Sequence, residues 1–251
     1  MGWARHQIRL LVCAIQFLTR VPVPSLKTFE PEWITHSARY FPLVGQGVGA
    51  VSALVLLAGE RVWGGGLGAV LAIALGLLIT GAFHEDGLAD TADGLGGGQT
   101  AARRLEIMKD SRIGTYGVCA LALVLGLKVA VLAEAPAAAL MLLAAHGLGR
   151  AAAVVVMRAT PYAPSGEAGK WKPAPQGVRT GEVVVALLLA AWPLALLPMG
   201  AVLAGLVGGA TLAVAMAMLA RQLIGGHTGD VLGAVEQLFE VGFLLGVAAL
   251  L

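Results

Sequence analysis

Charge is what this sequence has least of. Its 251 residues carry 17 Lys and Arg and 15 Asp and Glu, 13% of the chain, whereas an ordinary globular domain is about a quarter charged because its surface must face water. That scarcity argues against a soluble fold, a disordered chain, a coiled coil and a basic nucleic-acid-binding domain, so no nucleic-acid partner is expected. Cysteine is nearly absent. Cys13 and Cys119 lie in apolar runs without metal or redox spacing, which excludes a disulfide-stapled secreted fold and leaves them as inert buried thiols. The net charge of +2 is too small to name a partner. What the chain has instead is apolar surface: 58% hydrophobic residues and a mean hydropathy of +0.82.

A helix needs about 20 apolar residues to cross a bilayer core. Seven runs approach that length: Leu43–Ala58, Leu67–Phe83, Gly114–Ala133, Ala137–Met157, Val183–Pro198, Gly200–Ala220 and Val231–Leu251. They are expected to be helices, since a lone strand leaves its backbone unsatisfied in lipid and nothing alternates as a barrel strand does. The fold class is therefore an all-α, polytopic integral membrane bundle of about seven spans, one domain over residues 1–251. Residues 1–42 form an N-terminal interfacial segment, because Arg5 to Thr19 mixes apolar residues with Arg5, Arg9 and Gln16 before stopping at Val21-Pro22-Val23-Pro24. Small-xxx-small pairs at Gly45/Gly49, Gly205/Gly209 and Gly242/Gly246 would let spans approach closely.

Lys and Arg set the orientation. Arg5, Arg9, Arg20, Lys27 and Arg39 precede the first span; Arg103, Arg104, Lys109 and Arg112 follow the second; Arg158, Lys170, Lys172 and Arg179 follow the fourth; Arg221 follows the sixth. Only Arg61 falls in the intervening loops. Seven spans put every basic loop on one side, the cytoplasm, and the C-terminus outside.

The polar residues collect on that same side. Asp86, Asp90 and Asp93 stand at i, i+4 and i+7, so they line one face if the second span continues as a helix. Three carboxylates on one stripe repel unless a cation lies between them, and hard oxygen donors suit Mg²⁺ or Mn²⁺ rather than Zn²⁺. A solvated acidic face is the plain alternative, weakened by the position next to a span, where acids are costly. His84 lies roughly 200° from Asp86 around an ideal helix, so it is a substrate contact or merely interfacial. Lys109 and Arg112, entering the third span, would grip phosphates or anchor the positive side. Gly225-Gly226-His227-Thr228-Gly229-Asp230 is a tight turn whose amides and Thr228 would approach a phosphate, with Asp230 as helix cap or ligand. Glu236 and Glu240, one turn apart inside the last span, need partners; Lys128, His146 and Arg150 are available, and Lys128 with Glu240 is the expected structural pair.

These segments in this order resemble the cobalamin-5′-phosphate synthase family, also called adenosylcobinamide-GDP ribazoletransferase. The matching stretches are Ala14 to Pro24, Tyr40 to Gly45, His84 to Gly94, Glu106 to Gly117 and Gly225 to Gly233. The resemblance implies a membrane transferase of late vitamin B12 assembly, in the cell inner membrane with a cytoplasmic active site. It would join α-ribazole or its 5′-phosphate to adenosylcobinamide-GDP, release GMP and depend on Mg²⁺. Its partners would be those two substrates and the bilayer, with a homodimer left open. Under this resemblance Asp86, Asp90 and Asp93 hold the metal, Asp93 or Asp230 acts as general base, and Lys109, Arg112, Arg150, Thr228 and His84 contact substrate or phosphate. A secondary transporter and a lipid CDP-alcohol phosphotransferase are the competing readings; the first should show an internal repeat, and none is evident.

Overall fold

The computed structural model describes residues 2–24, 30, 32–163 and 177–251. Lys27, Lys170 and Lys172 lie outside them. The helices are α1 (Trp3–Leu18), α2 (Glu32–Ser37), α3 (Phe41–Trp63), α4 (Gly65–Thr80), α5 (Phe83–Gly97), α6 (Ala101–Met108), α7 (Thr115–Glu134), α8 (Ala138–Ala159), α9 (Thr180–Ala191), α10 (Met199–Ile224) and α11 (Gly229–Ala248). Among the described residues the one β-bridge joins Tyr162 to His227.

Each of the seven expected spans coincides with a helix, but not all are long. Five are long and apolar enough to cross a bilayer: the segment from Glu32 to Trp63, α7, α8, α10 and α11. The other two places are taken by α4, with 16 residues, and by α9 with its short 3₁₀ extension, Thr180–Leu196. The central helices are α8 and α11, whose most apolar windows are 72% and 78% buried, against 22% for α7 and 28% for α10. Leu78, Leu123, Leu188 and Val207 stay exposed on the outer helices, as side chains meant for lipid do.

Glycine makes the tight packing possible. A side chain at Gly242 or Gly246 would run into the backbone of α10 at Gly208 or Ala204, and one at Gly45 or Gly49 into the α8 carbonyls of His146 and Leu142. Two of the expected small-residue pairs, Gly45/Gly49 and Gly242/Gly246, are thus in backbone contact, while in the third Gly209 meets the Phe239 carbonyl and Gly205 meets the Phe243 and Val247 side chains.

One correction concerns the second span. It does not continue as a single helix through the acidic run: α4 ends at Thr80, and α5 leaves at 90°. Gly81 (φ 67°) and Ala82 (φ 55°) make the corner, Ala82 being the one non-glycine residue with positive φ among the described residues. A left-handed alanine is sterically disfavoured, so other contacts must impose it. The Arg20 amide donates to the Ile79 carbonyl at 2.7 Å, and the Arg20 side chain lies against Gly81, leaving no room for a Cβ.

The helix ends sort the bundle into two faces. The corner at Gly81 meets the end of α1, the N-terminus of α7 meets α5, and Arg104 of α6 donates to the Leu223 carbonyl of α10 at 3.4 Å. The chain after α8 pairs with the α10–α11 turn through Ala163 N–H to His227 O at 2.8 Å. Glu182 near the start of α9 accepts from Arg39 at 2.8 Å and lies 2.9 Å from His36 Nδ1. All the described basic loops therefore share one end of the bundle. The expected interfacial segment forms α1, which buries Leu10, Cys13, Ala14 and Leu18 and leaves Trp3 and Ile8 exposed. Cys13 is buried as expected; Cys119 is not, lying exposed on α7, the least buried of the long spans.

Candidate active site

The site is built where α5 crosses α11. A Cβ at Gly87 would stand 2.7 Å from the Asp230 carbonyl oxygen, and one at Gly233 would stand 2.9 Å from the His84 carbonyl oxygen. Only two glycines permit this approach, and it sets the acidic helix directly beside the glycine-rich turn. Asp86 is exposed, and Asp90 and Asp230 are half-buried, so acids of both helices reach the same end of the bundle.

Asp93 has a different setting. It is buried, and its two oxygens accept the Gly114 amide at 2.7 Å and the Gly117 amide at 2.9 Å. It thereby satisfies donors that the first turn of α7 would otherwise leave unpaired, and a carboxylate there also complements the helix dipole. This binds α7 to α5 across 21 residues of sequence. The expectation that Asp93 serves as both ligand and base did not foresee that both oxygens are already engaged.

The basic residues divide as well. Arg112 is exposed and forks onto Asp110, with Nη2 to Oδ2 at 2.7 Å and Nε to Oδ1 at 3.1 Å. Those bonds hold the Asp110 carboxyl down at about 2. Lys109 caps the end of α6 and is exposed. Both stand on the loop whose far end, Gly114, is tied to Asp93. Thr228 caps α11, its hydroxyl accepting the Val231 amide at 3.2 Å, which leaves the hydroxyl proton to donate. His227 is buried, with Nδ1 2.8 Å from Thr160 Oγ1, and burial lowers its pKa. Burial and the Asp230 charge raise that of Tyr162, whose ring meets His227 edge-on at 5.5 Å.

Arg150 requires a correction. Expected to grip phosphate, it is 2% exposed and spends Nη1 on Glu236 at 2.7 Å, Glu240 at 3.3 Å and the His146 carbonyl at 2.8 Å. The expected pair also forms: Lys128 Nζ lies 2.6 Å from Glu240 Oε2. His146 Nδ1 stands 2.9 Å from Glu240 Oε1. A residue that sequence reasoning passed over completes this cluster. Gln237 accepts from Lys128 at 2.6 Å and donates to Glu85 at 2.8 Å, so the interior network reaches the residue next to Asp86. A glutamine inside an apolar span was the available signal.

Among the described residues, the trio of possible ligands whose donor atoms lie within 4.8 Å of one another is His146, Glu236 and Glu240, not the aspartates. That trio already faces Lys128 and Arg150, cations that occupy the place an ion would take. The donors at the α5–α11 crossing are of the opposite kind: carboxylate oxygens at the edge of the bundle, with Asp86 open to solvent. Hard anionic oxygens are the donors that Mg²⁺ or Mn²⁺ takes.

The fold is that of a polytopic helical membrane protein, with Asp86, Asp90 and Asp230 near one end of its bundle. The family model for cobalamin-5-phosphate synthase matches residues 10–248, and the chain belongs to that family. Among its relatives, the adenosylcobinamide-GDP ribazoletransferase of Leptothrix cholodnii is 44% identical over 252 residues, covering 96% of this chain and 95% of its own. The protein of the same name from Vibrio cholerae is 42% identical over 258 residues, covering 98% and 96%. That from Azorhizobium caulinodans is 43% identical over 246 residues, covering 93% of each chain. No solved structure matches this chain significantly.

Proposed function

We propose that this chain joins α-ribazole, or its 5′-phosphate, to adenosylcobinamide-GDP with release of GMP, and that the reaction takes place at the α5–α11 crossing. The observation that carries this reading is the backbone contact at Gly87 and Gly233. It brings the backbone of α5 at Gly87 against that of Asp230 at the start of α11, in a chain whose relatives bear the name of that reaction.

Asp86 and Asp90, one turn apart on α5, are the proposed ligands of Mg²⁺. A bound Mg²⁺ supplies charge neutralisation for the diphosphate and for the departing GMP. Lys109 and Arg112 add positive charge from the α6–α7 loop, and the Thr228 hydroxyl with the first amides of α11 donates to phosphate oxygen. The ribazole hydroxyl attacks the cobinamide-side phosphorus in line, the phosphorus–oxygen bond to GMP breaks, and Asp230 takes the hydroxyl proton. Asp230, half-buried at the start of α11, is more accessible for that role than Asp93, which is buried between the Gly114 and Gly117 amides. Asp93 instead fixes where α7 begins. The positive-inside rule puts the basic end of the bundle in the cytoplasm, where soluble anionic substrates are met, and the membrane is the cell inner membrane.

The test uses the full chain in lipid nanodiscs with adenosylcobinamide-GDP, α-ribazole and Mg²⁺. GMP and a cobalamin product should appear in equal amounts. Absence of GMP from a folded preparation, with either ribazole form supplied, would overturn the reading.

A further inference from the structure

A cavity of about 370 Å³ lies between α1, α3 and the end of α4, within the usual range for small-molecule pockets. Leu11 and Ile15 of α1, Leu43, Gly47 and Val51 of α3 and Ile79 of α4 stand in its wall. One polar side chain, Thr19, joins them, and its hydroxyl donates to the Ile15 carbonyl at 2.8 Å. The wall therefore offers an occupant hydrocarbon and little else. Leu43, Gly47 and Val51 stand one turn apart on one face of α3, over about 12 Å of helix. Leu43 and Val51 are exposed, and since α3 belongs to a span, that exposure is to acyl chains and not to water. Gly47 accounts for the hollow. Its neighbours Gly45 and Gly49 press on the α8 backbone, but a Cβ at Gly47 would meet nothing within 4 Å. No contact among the described residues calls for a glycine there, and glycine weakens a helix interior; what the missing side chain leaves is room.

The groove ends at a cation. Arg20 follows Thr19 in sequence, its amide donates to the Ile79 carbonyl at 2.7 Å, and its side chain is exposed. Among the described residues no carboxylate forms an ion pair with it. The sequence around it is of one sign: Arg5, Arg9, Arg20 and Lys27 precede Glu30, the first acid of the chain. Arg20 stands at the basic end of the bundle, which the positive-inside rule turns to the cytoplasm, and the cytoplasmic leaflet is where anionic phospholipids attract basic segments. A guanidinium meets phosphate with two parallel N–H donors. An apolar channel two turns deep, capped at the membrane surface by an unpaired guanidinium, matches a phospholipid in both shape and charge.

We propose that this groove holds one acyl chain of an anionic phospholipid from the cytoplasmic leaflet, with the lipid phosphate on Arg20. Headgroup charge as well as chain then selects the occupant. The site adjoins the corner between α4 and α5: Arg20 and Ile79, which the lipid engages, are joined by the backbone bond that flanks Gly81 and Ala82, and the Arg20 side chain lies against Gly81. The bound lipid therefore buttresses the corner from which α5 departs. Lipid binding is read without turnover, so it stands or falls separately from the proposed reaction.

The experiment titrates the detergent-purified full chain with phosphatidylglycerol and, separately, with phosphatidylcholine. Retained lipid is read by native mass spectrometry, and unfolding temperature is followed in parallel. Wild type should bind phosphatidylglycerol about fivefold more tightly, the effect of one basic residue at an anionic surface, and should unfold at a higher temperature with it than with phosphatidylcholine. Arg20→Gln should lose that preference, and Arg20→Lys should keep it. Gly47→Phe fills the groove and should weaken binding of both lipids by about tenfold or more, because the acyl methylenes lose their burial. Gly47→Leu, a better helix former, takes its place if the Phe variant does not fold. Gly126→Phe, at an exposed glycine of α7 with equally open space, should bind lipid as wild type does. Equal affinity of wild type for the two lipids would overturn the proposal. So would unchanged binding in a folded Gly47 variant, or a preference that survives Arg20→Gln. A wild-type dimer that Gly47→Phe dissociates would overturn it too, assigning the groove to a second copy of the chain.

Discussion

Two groups of acids lie in this protein, and they live under opposite conditions. In the bundle interior, Glu236 and Glu240 are buried and each carboxylate meets named cations, Arg150 at 2.7 Å and Lys128 at 2.6 Å. At the end of the bundle, Asp86 is exposed, Asp90 and Asp230 are half-buried, and they stand where a glycine crossing joins two helices. The interior group is closed by its own counter-charges, because an unpaired ion there would carry a desolvation cost the fold cannot bear. In the end group Asp86 faces solvent, as a site that admits metal and phosphate requires. Carboxylates thus serve structure in the interior, and under the proposed function they serve chemistry at the end of the bundle.

The sharpest way to break this comparison is to neutralise one acid in each group. Asp90→Asn should cut GMP release by about a thousandfold, in the range for losing a principal electrostatic contact to a transferring phosphoryl group, with membrane insertion unchanged. Glu240→Gln should do the reverse. It leaves Lys128 buried beside a neutral amide, which costs about 3 kcal/mol, read as a fall in detergent stability, while the rate per folded molecule stays within a few-fold of wild type. If the two variants behaved alike, the division of roles would be wrong.

Much of this architecture was legible in the sequence. Apolar run length marked the helices, glycine spacing marked which of them touch, and Lys128 with Glu240 followed from the cost of lone charges in lipid. The acidic stripe was visible from its helical spacing. What stayed hidden depends on contacts between distant parts of the chain. The 90° corner at Gly81-Ala82 has no local cause strong enough to predict it, since alanine disfavours the left-handed region and Arg20, some sixty positions earlier, holds it there. Asp93 reads as one more acid of the stripe until α7 is seen to start upon it. Arg150 reads as a phosphate grip until its burial against Glu236 is known.

Smaller effects sharpen the comparison further. Gly87→Ala puts a Cβ 2.7 Å from the Asp230 carbonyl, so α5 and α11 must separate by a fraction of an ångström. The rate of GMP release should fall about tenfold, because catalysis is sensitive to such misplacement, and stability by about 1–2 kcal/mol. His227 supplies a pH dependence outside the spans. Its folded pKa lies below the ordinary value because of burial, so the unfolded chain binds its proton first. Stability is therefore full above about 6.5 and declines as pH falls below that; His227→Gln should flatten this slope in thermal unfolding measured from pH 8 to pH 5. Smallest of all, Ala82→Gly should relieve the left-handed alanine, raising stability by up to about 1 kcal/mol with no change in rate.

The central claim is that the aspartates at the end of the bundle, and not the interior glutamates, hold the divalent cation. Mg²⁺ titration of GMP release from adenosylcobinamide-GDP, run on wild type and on Asp86→Asn in nanodiscs, tests it most directly. The account predicts that wild type rises from a negligible rate to saturation, while Asp86→Asn stays near baseline or needs at least about tenfold more Mg²⁺. Superimposable curves for the two proteins would contradict it.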